Sequence, residues 1–304
     1  MVANVISAPV YLVDASLYIF RAYHSVPLEW HDRDGWPTNA AQGFASFLLQ
    51  LLEHARPERV AICFDEAFRV GYRNDIYPSY KANREPPDEI LVRQFAHCRA
   101  IAKSLGLMTV SHPRFEADDL IGSLAVLVRS HGFKILVISA DKDLTQLLHE
   151  GDEQWDYGRE PRLCPAGVEK RYGVRPDQIA DLLALAGDPV DNIPGVRGIG
   201  RITAAKLLRQ FGDLDALFLG IENVGRMRIR GAQGVQARLS EQRAEAFLSQ
   251  QLTRIHCQAP VPTDPDSLLP QRPHLETLVQ LFVELGFGPF LRRRAEAIEA
   301  RWNV

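Results

Sequence analysis

The 304-residue sequence predicts an α/β fold: a mostly parallel central sheet flanked by helices, followed by an all-helical second half. Three observations carry this reading. Short apolar strands alternate with helix-length amphipathic stretches up to about residue 150. Three of those strands end in an aspartate, and beyond about Pro176 the chain is helical stretches joined by glycine-rich turns.

The elements come in this order. Val10–Asp14 (VYLVD) reads as a buried strand; the residues before it lack a basic leader and break at Pro9, which predicts the approach to a first strand rather than a signal peptide. Ala40–Arg56 is a helix, and Arg59–Asp65 (RVAICFD) is the second strand. Asp88–Leu105 is a helix stopped by Gly106, and Glu116–Ser130 is another with Gly132 just beyond it. Lys134–Asp141 (KILVISAD) is the third strand. Ligands of open parallel sheets bind outside the carboxyl ends of the strands. Three strands each delivering an Asp to that edge therefore mark a site.

In the second half, Gly187–Gly212 closes one helix, turns through Gly195, Gly198 and Gly200, and starts another near Thr203. Asn192–Arg238 carries eight Lys or Arg against three Asp or Glu, a local surplus of +5. Pro260–Pro273 is proline-rich and reads as a linker or wrap-around loop before a short amphipathic ending.

Composition sets outer limits. The chain is 46% hydrophobic and 24% charged, as soluble globular proteins are. No apolar run approaches the ~20 residues that a membrane span needs. Cys63, Cys98, Cys164 and Cys257 are scattered, without CxxC or zinc spacing, which predicts reduced thiols in a cytoplasmic protein. With a net charge of −3, any nucleic-acid surface must be local.

The candidate chemistry is acidic: Asp14, Asp65, Glu116, Asp118, Asp119, Asp141, Asp143, Asp188 and Asp191. Each subset has a structural alternative. Glu116, Asp118 and Asp119 suit the start of a helix, Asp141 and Asp143 can cap the next helix, and Asp188–Asp191 can be a turn. Gathered together, carboxylates ~4 Å apart repel by ~4 kcal/mol per pair at a surface-like effective dielectric, so a fold that collects them needs a compensating cation. Oxygen-only donors suit Mg²⁺ or Mn²⁺ rather than zinc. Two such ions can serve an in-line phosphoryl displacement without a protein nucleophile.

Two basic segments accompany the acids. Arg69–Arg84 carries four basic residues and one acid, with Tyr72, Tyr77 and Tyr80 interleaved, as single-strand binding requires, although a solvated loop can share that composition. It offers little to bury and is expected to be mobile without a ligand. The turn IPGVRGIG can present helix N-terminal N–H groups to a phosphate, or be a tight helix connection.

The blocks VDASLYIFRAY, FDEAFR, YPSYKANR, FEADDLIG, SADKDLTQLL and GDPVDNIPGVRGIG resemble, in order, those of the 5′-nuclease family. That family includes the 5′→3′ exonuclease domain of bacterial DNA polymerase I and phage flap endonucleases. The blocks span roughly Val10 to Ala259, and the resemblance is to a free-standing member.

The resemblance implies a PIN-like or resolvase-like nuclease core over 1–175, with a helical arch at about 66–90. It implies a helix–three-turn–helix duplex-binding region over 176–262 and a C-terminal linker and helix over 263–304. Asp14, Asp65, Glu116, Asp118 and Asp119 would serve mainly a first Mg²⁺, and Asp141, Asp143, Asp188 and Asp191 mainly a second, with Asp118 between them and Mn²⁺ able to substitute. Some bacterial paralogues lack part of the second group; this chain has all of it. Tyr80, Lys81, Arg84 and Arg21 match substrate-engaging positions, and Tyr80 offers a stacking face for an unpaired base. Gly195, Gly198, Gly200, Arg201, Thr203 and Lys206 match the duplex-binding hairpin, with K⁺ on backbone carbonyls around Val196 and Ile199. Ala15 replaces a frequent glycine, and Arg201-Ile202 replaces a frequent Glu-Lys, which leaves Arg201 and Lys206 as the candidate backbone contacts. The implied substrate is branched or 5′-flapped DNA, RNA-primed ends included, cut by a monomer. A small-nuclease RNase and a non-catalytic junction binder are the competing readings.

Overall fold

The computed structural model describes residues 8–66, 71–159 and 161–303. In chain order its elements are β1 (Val10–Asp14), α1 (Ala15–Ser25), α2 (Asn39–His54), β2 (Val60–Asp65), α3 (Tyr72–Ile76), α4 (Glu89–Ser104), β3 (Met108–His112), α5 (Ala117–Ser130), β4 (Ile135–Ile138) and β5 (Glu153–Trp155). Next come the helices α6 (Pro165–Tyr172), α7 (Ile179–Ala186), α8 (Arg201–Phe211), α9 (Leu214–Leu219), α10 (Ala232–Glu241), α11 (Arg243–Thr253), α12 (Leu275–Glu284) and α13 (Pro289–Glu299). Among the described residues no helix is long and apolar enough to cross a membrane.

Two compact units divide the chain. The first comprises the described parts of Met1–Phe68, Pro86–Ser139 and Cys257–Val304; the second comprises those of Arg69–Glu85 and Ala140–His256. Compact packing thus does not run in chain order as 1–175, 176–262 and 263–304 do. The C-terminal segment packs with the sheet, and Asp141–Asp143 packs with the helical half.

The first unit is built on a sheet in which β3, β2, β1 and β4 lie side by side. All three pairings are parallel, with Tyr11 opposite Val60, Val10 opposite Ile135 and Ala61 opposite Met108. Every residue of β1 and β4 is buried, and β2 is buried up to Phe64. Continuous apolar runs without alternation are what a sheet covered on both faces requires. The sequence does not announce β3, because MTVSH alternates poorly and only Val110 is buried.

Cys257–Val304 wraps this unit, so the proline-rich stretch is a wrap-around segment rather than a free linker. Arg59 pairs with Asp266 at 2.7 Å, and the Gln271 N–H donates to the Gly106 carbonyl at 2.8 Å. Gly106 sits at φ +75°, and a Cβ there would lie 2.0 Å from the Gln271 oxygen, so only glycine fits. Farther on, the Thr38 hydroxyl donates to the Leu285 carbonyl at 2.9 Å, and Arg294 grips Glu53 with contacts of 2.6–3.1 Å.

In the second unit α7 packs against α8 and α11. Buried Asp181 accepts the Leu214 N–H at 2.9 Å and the Gln250 amide at 2.7 Å, joining three segments through one satisfied carboxylate. After α7 the chain forms a tight hairpin in which Asp188 and Ile193 exchange backbone hydrogen bonds of 2.9 and 2.8 Å. Gly187 and Gly195 flank it at φ +74° and +62°, and a Cβ on Gly195 would lie 2.2 Å from the Gly187 nitrogen. Side chains are excluded there by contact as well as by conformation.

Candidate functional site

The candidate acids fall into two sets, one in each compact unit. In the first, Asp14 closes β1 and caps α1, its Oδ1 accepting the Leu17 N–H at 3.2 Å. Its Oδ2 accepts the Ser139 hydroxyl at 2.9 Å. Asp65 ends β2 and receives the Ala117 N–H on Oδ1 at 2.8 Å, which joins the strand edge to the start of α5. The Asp65 N–H donates in turn to the Ser16 hydroxyl at 3.1 Å. Helix α5 starts on Glu116, whose N–H donates to Asp119 Oδ2 at 3.1 Å. Asp119 is fully buried and performs the capping role that its position also allows, while Glu116 and Asp118 are partly exposed. Cys63 reports how these charges converge. Its thiol is held well above the usual range, first by burial and then by the fields of Asp14, Asp65 and Asp118. Arg21 stands on α1 in this unit, its guanidinium 5.2 Å from the Tyr18 ring.

The third strand departs from expectation. β4 ends at Ile138, so Asp141 is not its terminal residue. Ser139 occupies the sheet edge instead, and the chain turns away into a short 3₁₀ turn over Asp143–Leu147. Asp141 Oδ1 accepts the Asp143 N–H at 2.9 Å, starting that turn.

The second set centres on the Asp188–Ile193 hairpin. Asp188 is 2% exposed; its Oδ1 accepts the Val190 N–H at 3.0 Å and its Oδ2 the Lys142 ammonium at 2.6 Å. Burial pushes the Asp188 carboxyl upward, but the Lys142 hydrogen bond and charge outweigh it and hold it below its usual range. Asp143 behaves oppositely: burial, then the charges of Asp141 and Asp191, push its carboxyl up to about 6 against the pull of Lys142. The Asp143 Oδ1 atom is buried without a hydrogen-bond partner, although Lys142 Nζ lies 3.0 Å away outside bonding geometry.

Asp191 collects the basic segment. Arg84 forms a close ion pair with its Oδ1, and Lys81 Nζ lies 3.8 Å from its Oδ2. The hairpin backbone takes part as well: the Lys81 N–H donates to the Asp191 carbonyl at 3.0 Å, and the Asn83 amide to Pro189 at 2.8 Å. Lys81 and Asn192 both hold left-handed backbones, at φ +55° and +57°. The Asn192 amide donates to the Ser79 carbonyl at 2.6 Å, and the Asn74 amide to the Tyr80 carbonyl at 3.0 Å. Two amides thus hold the two carbonyls just before Lys81, ahead of a conformation that costs a lysine ~1–2 kcal/mol.

Two expected roles are corrected here. Tyr80 does not present a stacking face: it is 4% exposed and packs with Ile193 and Leu252, its hydroxyl 3.4 Å from Asp191 Oδ2. Its ring is among the largest apolar surfaces of the segment, and burying it is the favourable outcome. The segment therefore does have something to bury. Arg73 is buried too, donating to the Leu252 and Arg254 carbonyls at 2.9 and 3.1 Å, where it caps the end of α11. Arg69 lies outside the described residues. Gly195, matched by the resemblance to the duplex-binding hairpin, is buried and spends its N–H on the Ser249 hydroxyl at 3.0 Å.

The rest of the hairpin faces outward. Gly198, Gly200, Arg201, Ile202 and Lys206 are exposed and Thr203 partly so, with Gly200 at the N-cap of α8. Val196 and Ile199 are buried, and the Val196 carbonyl accepts the Ile199 N–H at 3.0 Å.

Among the described residues no three His, Cys, Asp or Glu side chains are arranged as a finished metal cage. The donors fit a hard divalent ion nonetheless: all are carboxylate oxygens, and the Asp143 oxygen is buried without a hydrogen bond. Ser16, Ser139, Lys142 and Asn192 join the site without having been singled out by sequence. Their signal was adjacency, since each lies within two residues of a candidate acid.

Comparison with known proteins gives a division of its own. Residues 9–173 match the 5′-3′ exonuclease, N-terminal resolvase-like domain, and residues 174–276 the 5′-3′ exonuclease, C-terminal SAM fold. The chain is 34% identical over 296 residues to DNA polymerase I of Rhizobium leguminosarum, covering 95% of this chain and 28% of that protein. It is 38% identical over 286 residues to DNA polymerase I of Pseudomonas aeruginosa, covering 93% and 31%. The chain thus spans less than a third of the length of either relative. Among solved structures, the 5′-exonuclease of phage T5 with bound zinc shares the fold at a TM-score of 0.65 and 20% identity, covering 95% of this chain and 98% of that one. The catalytic core of Rad2 in complex with DNA substrate does so at 0.61 and 15%, covering 97% and 92%.

Proposed function

Because the chain belongs to the 5′-3′ exonuclease family, we propose that it is a structure-specific 5′-nuclease. It hydrolyses DNA phosphodiester bonds near single-strand/duplex junctions, as a flap endonuclease and a 5′→3′ exonuclease. The observation that carries this reading is the Asp191 network, in which Lys81 and Arg84, suited to phosphate, are gathered on an acid suited to a divalent ion.

Asp14, Asp65, Glu116, Asp118 and Asp119 would hold one Mg²⁺ or Mn²⁺, and Asp141, Asp143, Asp188 and Asp191 a second. Such ions, when bound, supply an activated water and neutralise charge on the leaving oxygen. The protein's own part is to orient these oxygens, which the Ser139, Ala117 and Val190 donors do. Lys81 and Arg84 would steady charge on the non-bridging oxygens as the bond breaks, with Arg21 a further phosphate contact. The α8 N-terminus, with Gly198, Gly200, Arg201, Thr203 and Lys206, would grip duplex backbone irrespective of sequence. K⁺ at the Val196 and Ile199 carbonyls would assist it. The substrate is branched or 5′-flapped DNA, RNA-primed ends included, and a monomer suffices.

A 5′-labelled flap duplex with Mg²⁺ and with EDTA tests the proposal. Junction-specific product with Mg²⁺ and none with EDTA is expected; cleavage undiminished in EDTA, or binding without cleavage, refutes it.

A further inference from the structure

The DxD spacing of Asp141 and Asp143 encloses a lysine, and the fold turns it inward among the acids. Lys142 Nζ lies 2.6 Å from Asp188 Oδ2 and 3.0 Å from Asp143 Oδ1. Its side chain is 27% exposed, while those of Asp188 and Asp143 are 3% and 17% exposed. The two acids are 45 residues apart in sequence, so tertiary structure alone puts one cation between them. Buried carboxylates without a cation repel one another and lose hydration, a large penalty. An ammonium can relieve it as a divalent ion would, but its three hydrogens satisfy fewer oxygens.

We propose that Lys142 is the built-in counter-ion of the second acid set, paired with Asp188 and Asp143 until a divalent ion takes those oxygens, and that it thereby sets how tightly that ion is held. The inference rests on the metal reading of these acids given above. Lys142 keeps the acids assembled when the metal is absent, and its displacement is subtracted from metal affinity. The side chain also has somewhere to go. It is 27% exposed and lines a narrow, partly open cleft with Tyr172, Ile179, Leu182, Leu183 and Arg201. Its aliphatic stem can stay on those apolar groups while the ammonium swings toward water.

The test is Mn²⁺ binding to the full chain without DNA, by calorimetry and by loss of the free-ion paramagnetic signal, together with thermal unfolding in EDTA and in Mn²⁺. Asp188→Asn identifies the affected class of site by removing it. Lys142→Met and Lys142→Gln, which remove the charge and keep the length, should tighten that class about tenfold or more and leave any other within about twofold. Both should unfold at a lower temperature than the parent in EDTA and gain more from Mn²⁺. Affinity unchanged or weakened in both neutral variants overturns the counter-ion role. A parent that binds no Mn²⁺, or an Asp188→Asn variant that loses no class of site, overturns instead the metal reading on which it rests.

Discussion

The backbone N–H of Lys81 donates to the carbonyl oxygen of Asp191 at 3.0 Å, and the ammonium of the same lysine lies 3.8 Å from the Asp191 carboxylate. One acid thus sets both the path of the chain at Lys81 and the position of its charge. The φ of +55° at Lys81 is held by contacts 110 residues away in sequence.

If Lys81 acts through its charge, Lys81→Ala and Lys81→Gly should slow single-turnover cleavage of a 5′-flap equally, by about a hundredfold, with little loss of binding. Glycine relieves the left-handed strain and alanine does not, so Lys81→Gly should be the more stable protein. A rate within a few-fold of the parent in both would refute the role.

Tyr80 should matter for stability rather than stacking. Tyr80→Ala should destabilise the protein by about 2–4 kcal/mol, measured by urea unfolding. Tyr80→Phe keeps the buried ring and loses one long hydrogen bond, worth under about 1 kcal/mol, so its flap affinity should match the parent. An affinity loss common to both variants, with stability intact, would restore the stacking role.

Asp188→Asn separates binding from chemistry. Cleavage in Mg²⁺ should fall by about a hundredfold or more, while flap affinity in Ca²⁺ stays similar or tightens, a negative charge near phosphate having gone. Turnover preserved with affinity lost would make the acid structural.

Arg201 and Lys206 are exposed on the first turns of α8. Neutralising both should weaken duplex binding alike for every sequence and flatten its salt dependence by up to about one unit per lost phosphate contact. An unchanged slope in a binding titration from low to moderate salt would place the duplex elsewhere.

The Glu53–Arg294 pair anchors the C-terminal segment. The Arg294 hydrogen bond holds the Glu53 carboxyl below its usual range. A lowered folded-state value stabilises above the unfolded value, near 4.5, and the gain is lost as pH falls through the folded one. Glu53→Gln should therefore cost about 1 kcal/mol near neutrality, part of the pair being screened by solvent. The difference from the parent should shrink in acid, as thermal melts at several pH values would reveal.

Much of this protein was legible in sequence because the signals are local. Continuous apolar runs mark β1 and β2 as strands buried on both faces, and an aspartate ends each, so the parallel sheet and the Asp14 and Asp65 pair of edge acids could be read directly. Glycine spacing marked the turns before α8, and family blocks named the acids.

Only the tertiary structure decided how those acids are partnered. Ser139 meets Asp14 across 125 residues, Lys142 meets Asp188 across 46, and Tyr80 meets Asp191 across 111. Periodicity reports which face of an element is apolar, but not what is packed against it. The aromatic pattern of Arg69–Arg84 suggested stacking on a base, yet burying the Tyr80 ring against Ile193 and Leu252 is the stronger demand. Gly195 matched the duplex-binding hairpin by family resemblance alone. Its N–H is spent on Ser249, and its missing side chain answers the approach of Gly187, a contact that exists only after the chain has folded.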